Sequence, residues 1–159
     1  MKALYDIVKQ FEGCKLKAYK CPAGVWTCGW GSTGPDVTEN TVWTQQQADD
    51  RLERDLGRFI NGVVKTSPGL MAHPNRLAAV TSFAYNTGIG AYQKSTMRKK
   101  IDAEDWAGAQ AEFSRWTRAG GRELPGLVRR RQAEAELFAT PHQNNKGDKG
   151  RADEQNSCR

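Results

Sequence analysis

At 159 residues, with 38% hydrophobic and 26% charged side chains, the chain is long enough for one domain with its own core and too short for two ordinary ones. No apolar run approaches the roughly 20 residues a membrane helix needs, and Met1-Lys2 leads into a segment interrupted by Asp6, Lys9 and Gln10, which lacks the apolar stretch of a secretory signal. The formal charge of +6 favours an acidic polymer as partner, nucleic acid or bacterial wall, but the basic residues are spread along the chain apart from Arg129-Arg130-Arg131, and no nucleic-acid-binding motif is present.

Taken in order, Leu4, Ile7, Val8 and Phe11 recur at helical spacing and predict an opening helix with one buried face. Gly13 follows at once, so Glu12 sits at a helix C-terminus, where unpaired carbonyls disfavour a carboxylate and help it keep a proton. Alternation through Leu16, Ala18 and Tyr19, a turn at Cys21-Pro22-Ala23-Gly24 and a return through Val25-Trp26-Thr27-Cys28 predict a β-hairpin. Thr27 shares a face with Val25 and not with Cys28. With Cys21 on the Thr27 side, a thiol and a hydroxyl can hold one water facing Glu12.

Thr44-Gln45-Gln46-Gln47 reads as a capping box opening a helix through Ala48, Leu52 and Leu56 to Val63-Val64, with Gly57 its weak point and Ser67-Pro68-Gly69 its stop. A helix after His73-Pro74, apolar nearly all round at Leu77, Ala78, Val80, Phe83 and Ala84, is the expected buried centre and closes at Asn86-Thr87-Gly88. Shorter helices are expected at Thr96 to Ile101 and Ala103 to Trp116, the second capped by Asp102. A turn at Ala119-Gly120-Gly121 precedes a last helix near Gly126 to Phe138, on which Arg129 to Arg131 read as a solvated face, one arginine pairing with an acid near the cleft. Residues 141–159 turn to Asn, Gln, Lys, Asp and Gly and predict a mobile tail, leaving residues 1–140 as a single catalytic domain.

The four cysteines, at 14, 21, 28 and 158, are expected as free thiols in a reducing cytosol, with Cys14 and Cys28 packed as small apolar side chains. Zinc-type CxxC and HxxxH spacings are absent, and His73 and His142 stand apart in sequence, so no metal site is expected. Trp26, Trp30 and Trp43 offer flat faces suited to sugar rings, with core packing as the default for each.

The pattern of an acid, eight residues, a thiol, five residues and a Thr, set in EGCKLKAYKCPAGVWTCGWGS, resembles the bacteriophage lysozymes (endolysins) of glycoside hydrolase family 24. NTGIG from Asn86, Ser95-Thr96, SRW from Ser114 and AGGRELPGLVRRR from Ala119 extend the resemblance over roughly residues 3–139. Relatives often have Asp at the position of Cys21 and His at that of Ser32. The resemblance implies an α+β lysozyme-like fold: a small N-terminal lobe with the hairpin, a larger helical C-terminal lobe, and a long helix joining them across a cleft. It implies hydrolysis of the β-1,4 bond between N-acetylmuramic acid and N-acetylglucosamine in peptidoglycan, with Glu12, Cys21 and Thr27 as catalytic residues and Thr33, Ser95 and Gln110 as sugar contacts. No cofactor is implied. The protein is expected as a monomer in the host cytoplasm until a membrane-permeabilising holin, a partner implied by the family alone, releases it to the wall. A lytic transglycosylase using Glu12 alone, and a non-catalytic wall-binding protein, are the alternatives. Since a thiol of ordinary pKa accepts a proton poorly at neutral pH, a thiolate at Cys21 is expected to need a nearby cation, and Lys15, Lys17 and Lys20 are close in sequence.

Overall fold

In the computed structural model, residues 1–142 are described, so the expectation of a mobile tail lies, from residue 143 on, outside the described residues. Helix α1 (Lys2–Glu12) buries Leu4, Ile7 and Val8 and ends at Gly13, as its spacing predicts. The antiparallel hairpin of β1 (Lys15–Lys20) and β2 (Trp26–Gly29) pairs Tyr19 with Thr27 and Lys20 with Trp26, and its register shifts between Lys15 and Tyr19. The Thr41–Trp43 segment lies along the other edge of β1 through Ala18 N–H to the Thr41 carbonyl (2.9 Å) and Trp43 N–H to the Leu16 carbonyl (2.8 Å). Ala18, Cys28 and Val37 form the small core of this end, with Trp26 and Trp43 packed on it.

Helix α2 (Gln45–Thr66) runs 22 residues, about 33 Å at 1.5 Å per residue. The capping box is made: Thr44 Oγ1 accepts from Gln47 N–H at 3.1 Å, and Gln47 Oε1 accepts from Thr44 N–H at 2.8 Å. Gly57 does not interrupt the helix. Leu52 and Leu56 pack with Leu4, Ile7, Val8 and Ala78, whereas Val63 belongs to the larger core, so α2 ties the hairpin end to the helical body.

At the centre lies α3 (Pro74–Thr87), in which every residue from Leu77 to Ala84 is buried. A helix buried on all sides shows no amphipathic stripe, which is why its composition rather than its periodicity marked it. Phe83 meets Phe113 and Trp116 edge to face, with ring centroids 5.8 and 5.1 Å apart, and Phe113 meets Phe138 at 5.6 Å.

The structure corrects the sequence reading in four places. A separate helix α4 (Ile89–Lys94) follows the α3 terminus, where the sequence reading closes one helix at Gly88 and places no other before Thr96; buried Tyr92 anchors it, its hydroxyl 2.8 Å from Ser67 Oγ and its pKa pushed by burial to about 12. Helix α5 (Thr96–Asp102) ends at Asp102, whose carboxylate meets Arg98 Nε at 2.7 Å, one turn back. The cap of α6 (Trp106–Glu112) is therefore Asp105, which accepts from Gly108 N–H at 3.0 Å, and the chain tightens into a 3₁₀ turn at Phe113–Arg115. Cys28 is buried with its Sγ 3.5 Å from the Lys15 and Leu16 carbonyls, but Cys14, in the link between α1 and β1, is only half-buried.

The largest correction concerns α7 (Pro125–Ala139), which follows a short hairpin of β3 (Arg118–Ala119) and β4 (Arg122–Glu123) turning through Gly120 and Gly121, both at positive φ. Arg130 and Arg131 are 3% and 1% exposed and lie inside the molecule, because α7 packs on α3 and brings Glu134 and Ser82 to meet them. Only Arg129 stays at the surface.

Candidate active site

Glu12 arrives at the last position of α1 with its carboxylate against the backbone of Gly31, in the turn after β2. A Cβ at Gly31 would stand 2.7 Å from Glu12 Oε2, and the residue has φ +91°, so glycine alone fits both the space and the backbone. Arg130 Nη1 donates to Glu12 Oε1 at 2.6 Å across 118 residues of sequence. Tyr85 of α3 donates its hydroxyl to the Trp30 carbonyl at 2.8 Å, fixing the turn beside the acid; burial first, and then the Glu12 charge, raise its pKa. A cavity of about 800 Å³ adjoins, lined by Phe11, Glu12, Asn86, Leu124, Arg129 and Arg130 among others.

On the hairpin, Cys21 closes the turn through its N–H to the Val25 carbonyl (3.0 Å) and its carbonyl from Gly24 N–H (2.8 Å). Thr27 is 5% exposed, and its hydroxyl donates to the Val25 carbonyl at 3.0 Å. The Cys21 thiol is held below the ordinary thiol pKa, chiefly by the Val25 N–H, with help from the Ala23 N–H and from the Thr27 hydroxyl when it turns from the Val25 carbonyl to the sulfur. Thiol and hydroxyl therefore lie on one side. The donors that favour the thiolate are the turn's own amides and Thr27, not Lys15, Lys17 or Lys20. Tyr19, paired with Thr27 on the hairpin, has its pKa raised by burial and then by the charges of Glu12 and Cys21, so one phenol feels both.

Ser32 stands where the family often has His. Its hydroxyl donates to Asp55 Oδ2 of α2 at 2.7 Å, and Asp55, 3% exposed, also accepts from Arg51 Nε (3.0 Å) and Arg58 Nη2 (2.7 Å). Arg51 reaches on to the Asp36 carboxylate and to the Thr33 carbonyl (2.7 Å). The loop after the hairpin is thus fastened to α2 by hydrogen bonds that a smaller side chain can still complete.

Of the expected sugar contacts, Thr33 is exposed in this loop. Gln110 lines a second cavity of about 400 Å³ with Ser114, Thr117, Glu123 and Arg131. Ser95 is 5% exposed; its hydroxyl donates to the Tyr92 carbonyl at 2.7 Å and caps α5 by accepting from Arg98 N–H at 3.0 Å. Trp30 donates Nε1–H to Asp49 Oδ1 at 2.7 Å and packs beside α1. His73 and His142, far apart in sequence, line one cavity of about 440 Å³ with Arg76. The expected pairing of one arginine of the Arg129–Arg131 run with an acid near the cleft is made by Arg130 and Glu12; sequence reasoning missed Tyr85 and Gly31 as neighbours of the acid and the burial of Arg130, whose signal was Glu134 at i,i+4.

An acidic side chain at the end of α1, held against the turn after a β-hairpin and backed by a helical body, is the layout of a lysozyme-type glycoside hydrolase. The profile of the family described as Phage lysozyme matches residues 9–134, and the chain belongs to that family. It is 40% identical over 136 residues, 83% of this chain and 92% of the relative, to the endolysin of Acyrthosiphon pisum secondary endosymbiont phage 1. To the endolysin of Bacillus phage PZA it is 40% identical over 135 residues, 84% of this chain but 52% of that longer relative. Among solved structures it is similar to the muramidase domain of SpmX from Asticaccaulis excentricus (TM-score 0.78, 30% identity, 89% of this chain and 97% of that one) and to the active form of the P1 phage endolysin Lyz (TM-score 0.76, 28% identity, 87% and 83%).

Proposed function

We infer that this phage lysozyme hydrolyses the β-1,4 bond between N-acetylmuramic acid and N-acetylglucosamine in peptidoglycan by an inverting mechanism. Glu12 protonates the glycosidic oxygen as the bond breaks. A water held by Cys21 and Thr27 attacks the anomeric carbon from the opposite face, its proton passing to the Cys21 thiolate. The observation that carries this reading is the hairpin turn itself: the Cys21 N–H bond to the Val25 carbonyl closes it, Thr27 follows on the return strand opposite Tyr19, and the Val25 and Ala23 amides beside the Cys21 thiol lower its pKa. In this reading the thiolate form of Cys21 supplies the basic function that the resemblance gives to Asp. The Gly31 contact and the Arg130 hydrogen bond support the acid's role by fixing Glu12 in one orientation. Among the described residues no helix is long and apolar enough to cross a membrane. A monomer that waits in the host cytoplasm for a holin to open the way to the wall completes the reading.

Two measurements test it. Mass spectrometry of digested wall is expected to yield reducing muramic ends, and anhydro-muramyl products would instead establish a transglycosylase. Cys21→Ser is expected to lower the lysis rate at least tenfold, about 1.4 kcal/mol in barrier, while Cys21→Asp remains active and Cys28→Ser lyses normally. Because the thiol pKa is lowered, the thiolate fraction grows at a lower pH than for an ordinary thiol, and a rate that depends on the thiolate rises with it. A Cys21→Ser variant as fast as the wild type, with the same pH profile, would remove the thiol from the mechanism.

A further inference from the structure

Arg130 has two carboxylates, not one. Its Nη1 donates to Glu12, while on the far side its Nε reaches Glu134 Oε2 at 3.3 Å and its Nη2 reaches the Ser82 carbonyl at 3.2 Å. Ser82 Oγ donates to the same Glu134 oxygen at 2.6 Å, and Arg131 Nε lies 3.0 Å from the other. Glu134 is wholly buried, Ser82 likewise, and neither touches the cavity beside Glu12. The proposed mechanism leaves this buried carboxylate without a task.

Counting charge gives it one. With both glutamates ionised, the two arginines and two glutamates balance; burial raises the Glu134 pKa, and Arg131, Arg130 and the Ser82 hydroxyl act against it by favouring the charged form. With Glu12 protonated, the form a general acid needs, the cluster keeps one excess positive charge, and without Glu134 it would keep two. A buried guanidinium whose only anionic partner was Glu12 would hold that partner ionised. We propose that Glu134, oriented by Ser82, is a positioning residue for the reaction: it binds Arg130 from the side away from the cleft, so that Arg130 orients Glu12 while Glu12 remains free to carry a proton.

This inference rests on the reading of Glu12 as the acid. The other groups facing Glu12 do not compete for the role. Tyr85 and Tyr19 both have pKa values raised above 10.0 and stay neutral in the working range, and Arg131, whose pKa burial lowers to about 10, stays charged and lies on the Glu134 side.

The test is Glu134→Gln, assayed for kcat, KM and pH dependence on soluble, uncrosslinked glycan strands after circular dichroism has established the fold. We expect kcat near neutral pH to fall at least tenfold with KM within about twofold. The alkaline limb of the rate profile should move about one pH unit toward acid, and Glu134→Asp should recover part of both. A folded Glu134→Gln enzyme with wild-type kcat and an unmoved alkaline limb would overturn the proposal. If that variant fails to fold, Ser82→Ala keeps all four charges and removes the hydroxyl that orients Glu134; a lowered kcat and an alkaline limb moved toward acid are expected there too, and wild-type values of both would overturn the proposal. Loss of the fold in both would assign Glu134 to stability alone and overturn the proposal as well. Glu12→Gln is the control: if it stays active, the reading of Glu12 fails on its own, and if it is inactive while the Glu134 variants match wild type, only the present inference fails.

Discussion

Glu12→Gln is expected to abolish lysis, with a loss of about 10² to 10⁴ in rate, while leaving stability within about 1 kcal/mol of wild type. The amide keeps the shape of the acid, its oxygen can still accept from Arg130, and Gly31 still abuts it. What disappears is the proton. Turbidity of permeabilised Gram-negative cells, together with a thermal melt on the same preparation, checks both parts. Clearing at more than a tenth of the wild-type rate would refute the assignment of the acid, and an inactive but unfolded variant would say nothing for it.

The second large effect is on Arg130→Met. Methionine fills most of the volume but leaves Glu12 without a donor at 2.6 Å and strips Glu134 of one of its two arginines. Glu12 is partly exposed and its neutralisation leaves Arg130 paired with Glu134, whereas Arg130 itself is buried, and removing such a member typically costs about 3 to 5 kcal/mol because the charges left behind stay desolvated. A fall of about 10 °C in melting temperature is expected for a chain of this size. Activity should fall even in the folded fraction, since Glu12 loses the group that fixes its orientation. A melting temperature within about 2 °C of wild type would mean that the cluster rearranges around the gap. The two variants separate chemistry from architecture: the first removes a proton and spares the fold, the second spares the proton and strikes the fold.

The local part of this architecture was legible in the sequence because local rules produce it. Hydrophobic spacing marks α1, the Thr44 box starts α2 at its observed residue, and the Cys21–Gly24 turn closes the hairpin. Glu12, Cys21 and Thr27 were nameable as a set since all three lie within one helix end and one hairpin. The rest depends on partners distant in sequence. Three consecutive arginines on a helix look solvated until Ser82 and Glu12, 48 and 118 residues away, are folded against one of them. The cap of α6 was misassigned by three residues because Asp102 and Asp105 are equally good cap residues, and only the Arg98 pairing decides which is free to do it. The lowered pKa of Cys21 also has a cause that composition hides: nearby lysines are conspicuous in a sequence, whereas turn amides are invisible until the turn is built.

The burial of Arg130 and Arg131 has one more consequence, for how the enzyme meets its substrate. Among the described residues the buried charged side chains are Arg51, Arg130 and Arg131 against Asp55, Glu112 and Glu134, which cancel. Burial therefore takes nothing from the formal excess of +6. That excess acts through solvent, where mobile ions attenuate it within about 8 Å at physiological ionic strength. Encounter with the anionic wall is thus a salt-sensitive step. On the proposed mechanism, bond cleavage between Glu12 and the hairpin depends on contacts of 3 Å or less around a partly enclosed acid and is not, so added salt is expected to slow the approach to the wall without altering the chemistry on arrival.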